Sequence, residues 1–297
     1  MLISNQLELR HLRYFLAVAE ELHFRKAADK LFISQPGLSR QVRQMEEVLG
    51  VSLFVRDKKR VRLTEAGKYF KEEVIAIINR LEQNARQLQH IQEGRVGEIR
   101  IGFLGSAMQN VVPKMLLQLQ DGHPDIQTTL LELANGDQVD ALLKNQLDLG
   151  FVRLAKVPPQ LQIKPVFRDS FSLVLPQDYP QIRGDFKGVS EMAKENFILF
   201  QKEYSPMYYE TVLSICEDAG FTPTISHKTV HAHTIFKLVE NKFGVAIVPS
   251  SLRYGFDMKV RFVELRGIPQ KAVLSVIWKA HNPNPVFQKC IRPILGI

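Results

Sequence analysis

Along the first third of the chain, apolar residues recur at helical spacing. Leu9, Leu12, Phe15, Leu16 and Ala19 share one helix face. Ala27, Ala28 and Leu31 mark a second, short helix over about residues 25–31, and "FIS" makes the turn after it. Leu38, Val42, Met45 and Leu49 form the buried stripe of a third helix. At about 100° per residue, Pro36, Ser39, Arg40 and Arg43 lie on its opposite side. Ser34 stands where a hydroxyl accepts from a first-turn amide. Pro36 is tolerated in that turn, because first-turn amides have no intrahelical acceptor. Gly37 costs about 1 kcal/mol relative to alanine in a helix interior, and less near its start. Two short helices joined by a tight turn, the second presenting donors outward, predict a helix-turn-helix whose recognition helix enters the DNA major groove.

Strand-like pieces near residues 53–56 and 61–63 then flank "DKKR", which predicts a β-hairpin wing. Thr64 and Glu65 open a long helix reaching about Ile91. Phe70, Val74, Ile77, Leu81, Asn84, Leu88 and Ile91 step along it by four and three, a heptad seam with one polar member. Its unbroken length after a short globular part favours dimerisation over packing on its own domain, with Asn84 fixing register at some cost in stability.

"EGRVGE", residues 93–98, reads as a linker, and the rhythm after it changes. "IRIGFL" is a strand, "NVVPKMLLQLQ" a helix, "TTLLEL" a strand, "DQVDALLKNQ" a helix and "LDLGFVRL" a strand. "DSFSLVLP" follows, then helices near residues 207–219 and 233–241, and strands in "GVAIVP" and "KAVLSVIWKA". This alternation predicts a parallel sheet covered by helices, in two α/β lobes with a cleft between them.

Composition adds the partner class. The chain has 297 residues, enough for two domains or three, and is 45% hydrophobic. Its formal charge of +8 and pI near 9.4 favour an anionic partner: nucleic acid, an acidic membrane surface or a small anion. The densest basic stretch is the wing, with Arg56, Lys58, Lys59, Arg60 and Arg62 against Asp57. Directly after a helix-turn-helix, such a stretch reads as a phosphate-contacting wing rather than a merely solvated face.

Other classes lose ground. Cys216 and Cys290 are far apart and form no disulfide or zinc spacing, which fits a reducing cytoplasm. Cys216 follows the apolar side of a helical pattern, as a plain buried cysteine does. The N-terminus lacks a basic stretch followed by an apolar run, and no apolar run approaches the roughly 18 residues of a membrane span, so the expected location is cytoplasmic. No nucleophile–base spacing, phosphate loop or metal cluster appears, so neither an enzyme nor a cofactor is expected. His231 and His233 form H-x-H without a third ligand.

The stretch "LRHLRYFLAVAEELHFRKAADKLFISQPGLSRQVRQMEEVLGVSLFVRDKKRVRLTEAG" resembles the DNA-binding domain of the LysR-type transcriptional regulators. Cap, helix spacing, "SQP-LSRQ", "LG–LF-R" and "LTEAG" occur in order. The remainder, with "IRIGFLGS", "LDLGFVR" and "GVAIVP", is similar to that family's effector-binding domain, whose fold is like that of periplasmic binding proteins. The resemblance implies an α plus α/β chain: an N-terminal winged helix-turn-helix over 1–63, a long linker helix for dimerisation over 64–92, and a C-terminal two-lobed α/β effector domain over 93–297. The lobes would cover about 96–167 plus 268–297, and 168–267. It also implies a homodimer, commonly a homotetramer, bound to an imperfect inverted repeat of double-stranded promoter DNA. RNA polymerase contact, and a small organic anion as effector, follow from the same resemblance. Gly37 departs from the family's more usual small residue with a β-carbon, which loosens the helix start slightly.

By that resemblance Ser34, Gln35, Pro36, Ser39, Arg40 and Arg43 face the groove. Chemically, Gln35 suits adenine, an arginine suits guanine, and Pro36 suits a thymine methyl, while Ser34 and Ser39 suit phosphates. Arg56 would touch backbone or minor groove from the wing. In the effector domain, Ser106 follows a strand and precedes a helix, where free amides favour an anion; it is either a cap or an effector contact, and the resemblance favours the contact. Asn135 follows the next strand with the same two readings. Tyr208, in "EYSPMYYETV", is either a ligand-facing ring or core. Phe151 and Arg153 follow in "LDLGFVR", and Arg153 pairs with an effector carboxylate or a surface acid. The pattern is closest to members that regulate aromatic degradation, which suggests benzoate, muconate or hydroxycinnamate derivatives as effectors. The rivals are a redox-responsive regulator, which the cysteine spacing disfavours, and a non-enzymatic solute-binding protein, which the helix-turn-helix disfavours.

Overall fold

The computed structural model describes residues 7–57, 60–92, 97–180 and 188–295. The chain forms two compact units, Met1–Arg86 and Gln87–Ile297. The first contains α1 (Leu9–Glu21), α2 (Phe24–Lys30), α3 (Gln35–Leu49), a hairpin of β1 (Phe54–Asp57) and β2 (Arg60–Leu63), and the start of α4 (Glu65–Gln92). Ser34 Oγ accepts from the Gly37 amide at 3.3 Å, the expected cap. Leu38, Val42 and Met45 are buried with Leu12, Phe15, Val18, Ala27 and Ala28. Burial of Leu38, Val42 and Met45 is worth about 1.5–3 kcal/mol each, more than the roughly 1 kcal/mol that Gly37 costs, so packing fixes α3. His11 Nδ1 accepts from the Glu8 amide, so its Nε2 carries the proton toward Gln41 Oε1 at 2.7 Å and ties α1 to α3.

The hairpin pairs Phe54 with Leu63 and Asp57 with Arg60; Lys58 and Lys59 at its tip lie outside the described residues. Phe15 packs on Phe54 of β1 and on Phe70 of α4, with ring centroids 5.4 and 5.0 Å apart. The base of α4 is bonded to the chain entering the wing. The Thr64 amide donates to the Leu53 carbonyl at 3.0 Å, and Thr64 Oγ1 donates to the Ser52 carbonyl and accepts from the Gly67 amide. A β-carbon on Gly67 would stand 2.1 Å from the Leu53 oxygen, so only glycine permits this approach. The expected seven-member seam divides. Phe70 and Val74 turn into the winged-domain core, because the first turns of α4 must cover it. Ile77, Leu81 and Leu88 remain exposed, as does Asn84, while the Ile91 side chain lies outside the described residues.

The second unit opens with β3 (Gly97–Phe103), α5 (Val111–Gly122), β4 (Ile126–Glu132), α6 (Asn135–Leu143), β5 (Leu149–Val152) and β6 (Leu161–Asp169). It continues with β7 (Phe171–Pro176), β8 (Asn196–Phe200), α7 (Pro206–Asp218), β9 (Thr224–Thr229), α8 (Ala232–Glu240), β10 (Ala246–Pro249), β11 (Val260–Glu264), β12 (Ala272–Lys279) and α9 (Phe287–Leu295). One lobe is a five-stranded sheet in the order β4-β3-β5-β12-β6. Leu274 and Val276 of β12 point to a core shared with α5 and α9, whereas Ile277 points to the α6 side, the alternation a strand covered on both faces requires. The other lobe holds an antiparallel β10-β7-β11 sheet and a parallel β8-β9 pair, packed with α7 and α8. The chain crosses between the lobes at residue 170 and again over 265–271.

The first lobe is mixed rather than all-parallel: β3, β4 and β5 are parallel, and β12 enters antiparallel between β5 and β6. The strands β6, β8, β9 and β11 and the helix α9 are not apparent from periodicity. Pro165 interrupts β6 and has no amide to donate, which an edge strand allows; it faces Ser275 at a register shift. In β9 most positions are exposed, so its sequence carries little apolar signal. Among the described residues no helix is long and apolar enough to cross a membrane.

Candidate functional site

Two sites emerge, one in each unit. On α3 the buried stripe leaves Gln35, Pro36, Arg40 and Arg43 exposed on the opposite face, with Ser34 exposed as the cap and Ser39 half-buried. Arg40 and Arg43 make no ion pair among the described residues, so both guanidinium groups face solvent with their donors available to an anion or a base edge. The geometry places Gln35, Pro36, Ser39, Arg40 and Arg43 within the first nine residues of α3, with Ser34 capping it.

Arg56, the expected wing contact, is also engaged within the domain. Its Nη2 lies 2.5 Å from Glu46 Oε2, and its guanidinium sits 5.0 Å from the centre of the Phe24 ring. Glu46 Oε1 accepts from the Leu53 and Phe54 amides at 2.8 and 3.1 Å. Arg56 thus links the wing to the recognition helix while remaining exposed at the surface. Glu46 is the organising residue, and sequence reasoning passes over it, because it sits among the polar positions of α3 with no pattern of its own.

In the second unit a narrow cleft, partly open to solvent, lies between the lobes. The end of β3 supplies Leu104, Gly105 and Ser106, β4 supplies Glu132, and the residue after β5 is Arg153. The opposite wall comes from Phe200, Tyr204, Ser205, Tyr208 and Pro249. This is the crevice beyond the carboxyl ends of sheet strands, where α/β proteins place ligands.

Arg153 is the dominant charge there. Its side chain is buried; Nη2 donates to Ser106 Oγ at 3.2 Å, and Nη1 is buried without a hydrogen-bond partner among the described residues. Desolvation lowers its pKa to about 10, while Asp169, Tyr208 and Tyr204 pull it upward. It stays cationic at neutral pH, and an unpaired buried donor is costly until an acceptor arrives. Ser106 makes no capping bond in the short 3-10 turn Gly105–Gln109; its hydroxyl is aimed at Arg153 instead.

The two tyrosines differ. Tyr208 lines the cleft with its ring, which packs edge-on against Phe200, but its hydroxyl is already committed to the Ile247 carbonyl. Burial pushes its phenol well above the usual range. Tyr204, which sequence reasoning passes over within the same segment, accepts from the Gly105 amide and donates to Glu132 Oε1, both at 3.2 Å. Desolvation, with Glu132 adding to it against the Gly105 hydrogen bond, pushes it up to about 12.

Asn135 and Phe151 stand behind the wall. Asn135 is buried: Oδ1 accepts from the Arg153 amide at 2.9 Å and Nδ2 donates to Ser205 Oγ at 3.2 Å, so it fixes Arg153 and joins the lobes. The side chain of Phe151 is fully buried in the sheet core and lines no part of the cleft, because β5 is covered on both faces. Only its backbone acts locally, its carbonyl accepting from the Leu104 amide and from Gln138 Nε2.

Residues 9–68 match the family described as bacterial regulatory helix-turn-helix protein, lysR family, and residues 92–295 match the LysR substrate binding domain. The chain belongs to the LysR family of transcriptional regulators. The regulator YnfL of Escherichia coli (strain K12) is 33% identical over 286 residues, covering 94% of this chain and 95% of its own. AlsR of Bacillus subtilis (strain 168) is 32% identical over 286 residues, covering 96% and 95%. The full-length structure of CbnR complexed with its target DNA superposes with a TM-score of 0.69 at 25% identity, over 97% of this chain and 100% of that one. This LysR-family member is therefore a DNA-binding transcriptional regulator with an effector-binding domain, and not an enzyme.

Proposed function

We propose that this regulator binds an imperfect inverted repeat in promoter DNA as a cytoplasmic homodimer or homotetramer, contacts RNA polymerase there, and is controlled by a small organic anion. The anion is an aromatic acid or an aromatic-degradation intermediate. The observation that carries the effector reading is Arg153, a buried cation in an interlobe cleft with an unpartnered Nη1. A carboxylate there supplies the missing acceptor, with Ser106 beside it and the Tyr208 ring as an apolar wall. Asn135 positions Arg153, and Phe151 takes no part through its side chain.

Gln35, Pro36, Arg40 and Arg43 read base edges on this account, Ser34 and Ser39 hold phosphates, and Arg56 braces the wing. The exposed Ile77, Leu81 and Leu88 supply the dimer seam on α4. The aromatic class rests on the resemblance of the sequence to regulators of aromatic degradation. The test is a thermal-shift screen of the full chain against small organic acids, repeated with Ser106→Ala. A specific acid should raise the melting temperature of the wild type and do so less in the variant, with operator affinity of the unliganded protein unchanged. An identical titration of both proteins would remove Ser106 from the site, and no response to any acid would overturn the organic-anion reading.

A further inference from the structure

The cleft carries a second charge that a simple acid leaves unused. Glu132 is the last residue of β4, and Arg153 follows the last residue of β5. These strands flank β3, and Glu132 is level with Phe103 and Phe151, so the two positions stand two strand spacings apart laterally, about 10 Å, with Arg153 two residues further along. Gly105 and Ser106 lie between them at the end of β3. At the Arg153 end, the guanidinium and the Ser106 hydroxyl offer donors. At the Glu132 end, Oε1 is held by the Tyr204 hydroxyl, and His231 Nδ1 stands 3.7 Å from the same oxygen. Oε2 accepts from no described residue.

The Glu132 carboxylate is fixed rather than loose. Tyr204 is itself anchored by the Gly105 amide, and the approach is tight enough that a β-carbon on Gly105 would stand 2.8 Å from Glu132 Oε1. The Glu132 side chain keeps 38% of its exposure, so its charge is only partly screened. One end of the cleft therefore selects for a carboxylate and the other selects against one.

We propose that the effector is bipolar: a carboxylate bound at Arg153 and Ser106, and a hydroxyl or ammonium donor bound by Glu132. This rests on the organic-anion reading and narrows it. Hydroxy acids and amino acids fit, whereas dicarboxylates such as muconate place a second negative charge against Glu132.

Titration of the full chain at about pH 8 tests it. The probes are benzoate, para-hydroxybenzoate, para-(aminomethyl)benzoate and terephthalate, with hexanoate, its omega-hydroxy and omega-amino derivatives, and adipate. Wild type, Glu132→Gln and Arg153→Gln are compared. In the wild type a donor-bearing acid should bind about five- to tenfold tighter than its parent, the scale of one charge-assisted hydrogen bond at a partly exposed site, and the dicarboxylate weaker than the parent. Glu132→Gln should erase the donor's advantage and admit the dicarboxylate. Parent acids binding as well as their donor-bearing derivatives, dicarboxylates binding best, or a ranking unmoved by Glu132→Gln would each overturn the bipolar assignment. Loss of parent-acid binding in Arg153→Gln would leave the organic-anion reading standing in those cases. If no acid binds the wild type, both readings fail together.

Discussion

Glu46 holds Arg56: the carboxylate oxygen Oε2 lies 2.5 Å from the guanidinium Nη2, while Oε1 accepts the two amides that lead into the wing. A single acid on the recognition helix therefore fastens the hairpin by backbone and side chain at once. Removing it leaves the amides of buried Leu53 and Phe54 without their acceptor and releases the Arg56 guanidinium to solvent. Glu46→Ala should cost about 2 kcal/mol in urea unfolding of the first unit's transition. A stability within about 0.5 kcal/mol of wild type would show that the wing holds its place without this contact.

Arginines on the two elements should behave differently toward operator DNA. Arg40→Ala removes exposed donors from the reading face and should weaken operator binding by about 1–3 kcal/mol in fluorescence anisotropy, leaving effector binding intact. Arg56→Ala should leave the slope of affinity against salt unaltered, because its guanidinium is engaged with Glu46 and Phe24. A slope reduced by about 1 would make Arg56 a phosphate contact after all.

The pH dependence of effector binding has a definite sign. Folding lowers Arg153 from 12.5 to about 10 through burial. A base depressed in this way loses its charge in the native state only as pH rises through the lower value, and between the two values the native state gains stability as the proton leaves. Below about 10 the charge is constant in both states. The affinity for a carboxylate should therefore stay flat from about pH 7 to 9 by calorimetric titration. A tenfold fall across that range, about 1.4 kcal/mol, would move the anion to a group that titrates there.

Neither cysteine is placed to sense oxidants. Cys216 and Cys290 are both buried, and burial pushes each thiol up to about 12. The reactive thiolate is scarce at neutral pH. Operator binding should survive brief peroxide treatment unchanged, with both thiols still free by mass spectrometry. Oxidation of Cys216 within minutes, together with altered operator mobility, would revive the redox-responsive reading.

The α3 stripe was legible because Leu38, Val42 and Met45 repeat at the helical period and local packing follows from it. Strand order was not, since the insertion of β12 between β5 and β6 is decided by pairing across more than a hundred residues of sequence. The cleft residues divide the same way. Arg153 and Ser106 follow strand ends and were visible as such. The choice between Tyr204 and Tyr208 depends on the Ile247 carbonyl, contributed by β10, which takes the hydroxyl of the second. Phe151 misled because a four-residue strand buried on both faces gives no alternation to say where a side chain points.

At the foot of α4, Thr64 and Gly67 are locked onto Leu53 and Ser52 with no room for a β-carbon. That junction has no slack to act as a pivot. The foot of α4, the wing and, through Glu46, the recognition helix are therefore joined by one continuous run of hydrogen bonds, so the three elements of the winged domain share a single rigid seam.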